Sequence, residues 1–169
     1  MEIIRVFTDV SEVRKGSDEV DDRKRTFVIS NERKDSHGTI IPLKGWDVKD
    51  FNRAGAFYYQ HLTGRGWSDP DPDNALGPAT AELTEKELLG HGIFEPKDIN
   101  ERAEKIMRKV DFGTMKSTSV GFLPKDWNKP GHWGIEKDGE DAKTFYFDGT
   151  ILKEFSMVHI ASNADALKK

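Results

Sequence analysis

Along most of the chain, apolar residues fall in short runs separated by polar and turn residues. "IIRVFT" at 3–8 and "TFVIS" at 26–30 are rich in branched and aromatic residues and predict strands. Between them, 9–25 are nearly all polar and predict a hairpin loop or a mobile charged arm. "ERKDSHGTIIP" at 32–42 reads as turn chemistry followed by a short strand that Pro42 ends. "DVKDFNRAG" at 47–55 predicts a helical turn closed by Gly55, and "AFYYQH" at 56–61 a strand. The Gly-, Asp- and Pro-rich run 62–77 predicts a long loop, and "PATAEL" and "LLGHGIF" an antiparallel pair. Only 98–112 carries a sustained helical period: Ile99, Ala103, Ile106, Met107 and Val110 share one face, with Pro96 at the entry and Gly113 just past the end. "MKSTSVGF" follows as a strand, 124–142 as a polar excursion, and "KTFYF" and "TILKEFSMVHIA" as closing strands. Many short strands with one clear helix predict an α+β fold. It is built on a mostly antiparallel β-barrel, closed or partly closed, in a single domain spanning 1–169.

Composition narrows the chemistry. A formal net charge of −4 lacks the basic excess that phosphate binding calls for, so no direct nucleic-acid partner is expected. With no cysteine, disulfides, thiolate metal sites and cysteine nucleophiles are excluded. No apolar run reaches the length of a membrane span, and "MEIIRVFTDV" is a poor signal peptide, so no membrane partner is expected. Asp69, Asp71 and Asp73 begin like a calcium loop. Asn74 then replaces the required glycine and Thr80 the closing glutamate, so no metal is expected there. No Walker-type or dinucleotide glycine motif and no close histidine pair appears, and no cofactor is expected.

What remains is hydroxyl chemistry. In "KSTSVGF" the two-residue period places Ser117 and Ser119 on one face and Lys116, Thr118 and Val120 on the other, with Gly121 opening a close approach. Small residues on a strand are more often packing than chemistry, and a serine nucleophile needs a base within reach. Of five histidines, His37, His91 and His132 fall in turns, a hairpin and the polar excursion. His61 ends an aromatic strand beside the long loop, a position that suits catalysis. Glu154 shares a strand face with Leu152, Ser156 and Val158, and a carboxylate among apolar neighbours needs a partner, unless it sits at an edge or in a salt bridge with a lysine or arginine.

In this order, His61, Ser119, Glu154, the chain resembles the prohead, or procapsid maturation, serine proteases of tailed phages, themselves distantly similar to herpesvirus assemblins. The likeness runs from about Thr26 to Ala166 through five ordered blocks. They are "VISNERKDSHGTIIPLKGWDVKDF" with Asp35, Gly38, Gly45 and Trp46; "FYYQH"; "ALGPA" with Gly77; the helix and "GTMKSTSVGF"; and "LKEFSMVHIASNADA". The resemblance implies a herpesvirus-protease-like fold, a β-barrel flanked by helices. It implies a serine endopeptidase with Ser119 as nucleophile, His61 as general base and Glu154 orienting the imidazole, His159 ranking behind Glu154. Its substrates would be scaffold or major capsid protein, and the enzyme itself, inside the procapsid in the host cytoplasm. Homo-oligomers are compatible with this class. The 62–77 loop would be a lid or substrate-binding element. The rival expectation is a catalytically inactive capsid-assembly or scaffold-adaptor module on the same fold.

Overall fold

The computed structural model describes residues 22–66, 68–125, 144–147 and 149–169. The expected strand at 3–8, most of the 9–25 arm, most of the 124–142 excursion and His132 lie outside them. Nine strands and two helices are described: β1 (Lys24–Ser30), β2 (Thr39–Ile40), β3 (Trp46–Asp47), α1 (Lys49–Ala54), β4 (Ala56–Tyr59), β5 (Ala75–Leu83), β6 (Leu88–Ile93), α2 (Glu101–Phe112), β7 (Ser117–Pro124), β8 (Phe145–Tyr146) and β9 (Thr150–Val158). No helix among the described residues is long and apolar enough to cross a membrane.

The main sheet runs β1-β6-β5-β4-β9, with β7 on the far edge of β9. Neighbours are antiparallel except β4 and β9, which run parallel with Phe57 opposite Phe155. β3 continues the β4 edge of β9 as a second parallel segment, and β2 and β8 form a separate parallel pair. The sheet curls until β1 approaches β7, and the C-terminal residues fill the seam. The Val28 amide donates to the Leu167 carbonyl and the Thr118 amide to that of Ala166, at 2.8 and 2.9 Å. The Lys168 amide donates to Lys116 and the Lys169 amide to Thr26. The buried Thr118 hydroxyl crosses the seam directly, donating to the Val28 carbonyl at 2.8 Å. The result is a mixed α+β protein around a partly closed barrel.

Aromatic packing fills the inside. Phe57 stacks on Phe155 with ring centroids 5.4 Å apart and meets Phe94 edge-on at 4.8 Å. Gly90 and Gly92 of β6 make room for these rings: a Cβ on either would come within 2.9 Å of Phe155 or Phe57 respectively. Helix α2 closes one side of the core with Ala103, Ile106 and Val110.

The helix starts later than its periodicity predicts. Asn100 is extended, and its side chain accepts from the Ala103 amide, a cap that fixes the start at Glu101. The same side chain donates to the Asp73 and Ala75 carbonyls. Residues 96–100 form a separate turn in which the Ile99 and Asn100 amides both return to Pro96, leaving Ile99 exposed instead of buried with the helical face. The other end matches expectation: Gly113 adopts φ +90° and returns its amide to Lys109 and Val110. Gly55 does not adopt that geometry; it leaves α1 in an extended conformation and leads directly into β4. Pairing extends β1 two residues before Thr26, since Lys24 sits opposite Ile93. The run at 62–77 is not loop throughout: Pro72–Asn74 form a 3-10 turn and β5 begins at Ala75.

Closure of the seam makes Thr118 a stability hinge. Thr118→Val keeps the shape but removes the donor to Val28, and is expected to cost about 1–2 kcal/mol in urea unfolding. Thr118→Ser should retain most of that.

Candidate active site

β4 pairs with β9 through Tyr59, and the Gln60 amide extends the ladder to the Met157 carbonyl at 3.0 Å. The chain then turns sharply. Gln60 and His61 both adopt left-handed backbone, with φ of +54° and +60°. Consecutive non-glycine residues in that region are strained and need outside support. Support comes from β9, where the His61 amide donates to Ser156 Oγ at 3.1 Å. The turn therefore ends the strand two residues earlier than "AFYYQH" predicts and lays the imidazole over the outer side of β9.

There the imidazole meets Glu154. His61 Nδ1 lies 2.7 Å from Glu154 Oε1, and Ser156 Oγ donates to Glu154 Oε2 at 2.7 Å. Both carboxylate oxygens are thus engaged. Glu154 and Ser156 are buried, whereas the His61 side chain keeps 43% of its surface exposed. A buried carboxylate left unpaired would be costly; two hydrogen bonds, one of them charge-assisted on protonation of the ring, offset its burial. The bond with Glu154 holds the His61 pKa above the usual imidazole value, opposed by partial burial and reinforced by the carboxylate charge. Because a carboxylate can only accept, Nδ1 carries the proton of the neutral ring, and Nε2 is left as an acceptor.

Gly121 explains how the carboxylate fits. β7 and β9 place Gly121 opposite Glu154, and a Cβ on Gly121 would stand 2.2 Å from Oε1. The close approach that this glycine permits is therefore made by the carboxylate of the neighbouring strand. The same observation fixes which way β7 faces. Gly121 lies on the side of Glu154, so Ser119, two residues earlier in an unbroken register, projects to that side too. Thr118 and Val120 point the other way, Thr118 to the seam and Val120 against the core. Ser156 sits between Tyr58 on one neighbouring strand and Ser119 on the other. Ser119 is half-buried and hydrogen-bonded to no described residue through its side chain, so His61 and Ser119 share a face without a direct bond.

The chain matches no protein-family model, no curated protein and no solved structure. The site therefore rests on its own geometry.

His159 stands apart from this cluster. It follows β9, packs edge-on against Tyr59, accepts the Gln60 side-chain amide at Nδ1 and lies 3.3 Å from the Tyr59 hydroxyl at Nε2. It braces the turn that carries His61 and forms no hydrogen bond or ion pair with Glu154. His37 holds Ser162, and His91 holds Thr26 and Glu82. Asp69 and Asp71 accept amides of their own loop, and Arg102 of α2 fastens Asp71 and Asn74. That half of the loop is thus docked on α2. The phenol of Tyr58 is held protonated by burial and then by the Glu154 charge.

One face assignment changes. A register shift between Gly121 and Phe122 skips Lys153 on β9, and Leu152 joins Phe155 and Met157 in the core instead of sharing the Glu154 face. Glu154 accordingly has Ser156, His61 and Gly121 around it. Ser156 is the functional residue that sequence reasoning misses. Its signal is the two-residue spacing from Glu154, which makes it the nearest hydroxyl on that face.

Two measurements probe the pairing. Proton titration of His61 by NMR should give a pKa above about 6.5, falling to that value or below in Glu154→Gln. Since the folded value is raised, the pair's contribution to stability is complete below the unfolded pKa and is lost as pH rises through the folded one; Glu154→Gln should remove that slope. Gly121→Ala, by displacing Oε1, should lower the His61 pKa in the same direction and destabilise the fold by about 2 kcal/mol or more.

Proposed function

We propose that the protein is a serine endopeptidase with Ser119 as nucleophile, His61 as general base and Glu154 as the group orienting the imidazole. The observation that carries this reading is the His61 Nδ1–Glu154 pair lying over Gly121, on the strand face from which Ser119 projects. A neutral imidazole so oriented offers Nε2 to a hydroxyl, the arrangement that serine acyl transfer requires. Ser119 Oγ attacks a peptide carbonyl while its proton passes to Nε2. The imidazolium, stabilised by Glu154, then protonates the departing amine. Water, deprotonated by the same nitrogen, frees the acid and restores Ser119. Apo hydrogen bonds to nucleophiles are often absent and form only with substrate in place, so the missing Ser119–His61 bond is compatible with this role.

The resemblance to prohead proteases extends the proposal to a herpesvirus-protease-like fold and to scaffold or capsid-protein substrates within a phage procapsid. It is supported by the ordered sequence blocks and by the same three residues. That the Ser119 hydroxyl bonds no described residue, His61 included, favours a second reading, an assembly module on the same scaffold without catalysis.

Fluorophosphonate labelling separates the two. Labelling of the wild type at one site, abolished in Ser119→Ala and slowed about a hundredfold or more in Glu154→Gln, is expected for the enzyme. Since such enzymes can require dimerisation, the reaction is followed over rising protein concentration. A folded protein that stays unlabelled throughout is the assembly module. With raised His61, labelling rates should climb as pH passes above the ordinary histidine range.

A further inference from the structure

On the opposite side of the β4–β9 strand ends from the Glu154 carboxylate, α2 borders a groove of about 660 Å³. Its floor is apolar, made by the buried Ile106 and Met115 with the Tyr59 ring. Its rim carries Lys105 and Lys109, both exposed and one helical turn apart, with Arg102 beside them. A second hollow of about 700 Å³ continues it along the helix, sharing Lys105 and Lys109 and ending at Phe112, which is 87% exposed.

The charge in this trough is unbalanced for a structural reason. Two of the three α2 carboxylates are drawn elsewhere, which leaves Glu101, among the described residues, as the unpaired acid beside Lys105, Lys109 and, farther along, Arg108. Glu104 pairs with Arg23, and Asp111 pairs with Arg25 and Lys168. Among the described residues, Lys105 and Lys109 have no carboxylate within ion-pair distance, in a chain whose net charge is −4. A cationic rim over an apolar floor, with an exposed aromatic at the far end, suits an extended peptide that alternates acidic and apolar side chains. Nucleic acid fits less well, because a phosphate backbone would use the cations and leave the apolar floor of Ile106 and Met115 uncovered.

The geometry points to the α2 groove as a docking site for an acidic, partly apolar peptide segment. This assignment is independent of whether Ser119 is a nucleophile. Docking places the segment against Tyr59 and His159, the residues that brace the Gln60–His61 turn.

The test is fluorescence anisotropy at low salt with a labelled octapeptide of alternating Glu and Leu. Comparison probes are the same peptide with Gln for Glu and a single-stranded DNA 12-mer. Saturable binding of the acidic peptide is expected, weakened by added salt and by about tenfold or more in the double variant Lys105→Glu/Lys109→Glu. The control Lys44→Glu/Lys86→Glu makes the same change in charge away from the groove and should bind as the wild type does. Circular dichroism establishes that both variants fold. The proposal is overturned by no binding to the wild type, by equal losses in the two variants, by equal binding of the Gln peptide, or by tighter binding of the DNA.

Discussion

A buried carboxylate organises the outer face of this barrel. Glu154 is out of water, and its burial is tolerable only because each oxygen has a donor: His61 on one side and Ser156 on the other. Those two donors are themselves joined, since the Ser156 hydroxyl accepts the His61 amide. The carboxylate, the serine and the histidine turn thus form a closed ring of contacts in which no member can move alone. The ring has space only because Gly121 lacks a side chain. Remove the glycine and the carboxylate must leave; remove the carboxylate and the buried Ser156 hydroxyl and the His61 ring lose their acceptor.

The ring also supports strained backbone. Two successive left-handed residues at Gln60 and His61 are held from both sides, by Ser156 on the outer face and by His159 bonded to the Gln60 side chain. Strain maintained by several independent contacts is a recurrent property of sites that aim a side chain at a fixed point. Here the side chain aimed is an imidazole whose Nδ1 is committed, leaving Nε2 as the ring's acceptor. The barrel beneath supplies rigidity. Phe57 and Phe155, stacked inside, lie on the same two strands that carry His61 and Glu154, so core packing and site geometry are set by one pair of neighbours.

Much of this was visible in the residues. The branched and aromatic run "TFVIS" marks a strand buried on both faces, and the two-residue alternation of "KSTSVGF" marks one with two unlike faces. His61 was singled out by its place at a strand end, Glu154 by its need for a partner, and Gly121 as a point of close approach. Details that depend on a neighbour were less visible. Ile99 continues the helical period, yet the Asn100 cap excludes it from the helix. Leu152 alternates with Glu154 in sequence, yet a bulge turns it into the core. The pairing of residues 166–169 between β1 and β7 leaves no local pattern at all.

The sequence by itself determined the kinds of element, their order and the absence of thiol chemistry, because these follow from side-chain periodicity and composition within a few residues. Only the tertiary structure decided that His61 bonds Glu154, that Ser156 completes the carboxylate's shell, and that Ser119 faces the same side. Those relations are set by strand register across separations of tens of residues, and a shift of one position in register would turn every one of these side chains to the other face.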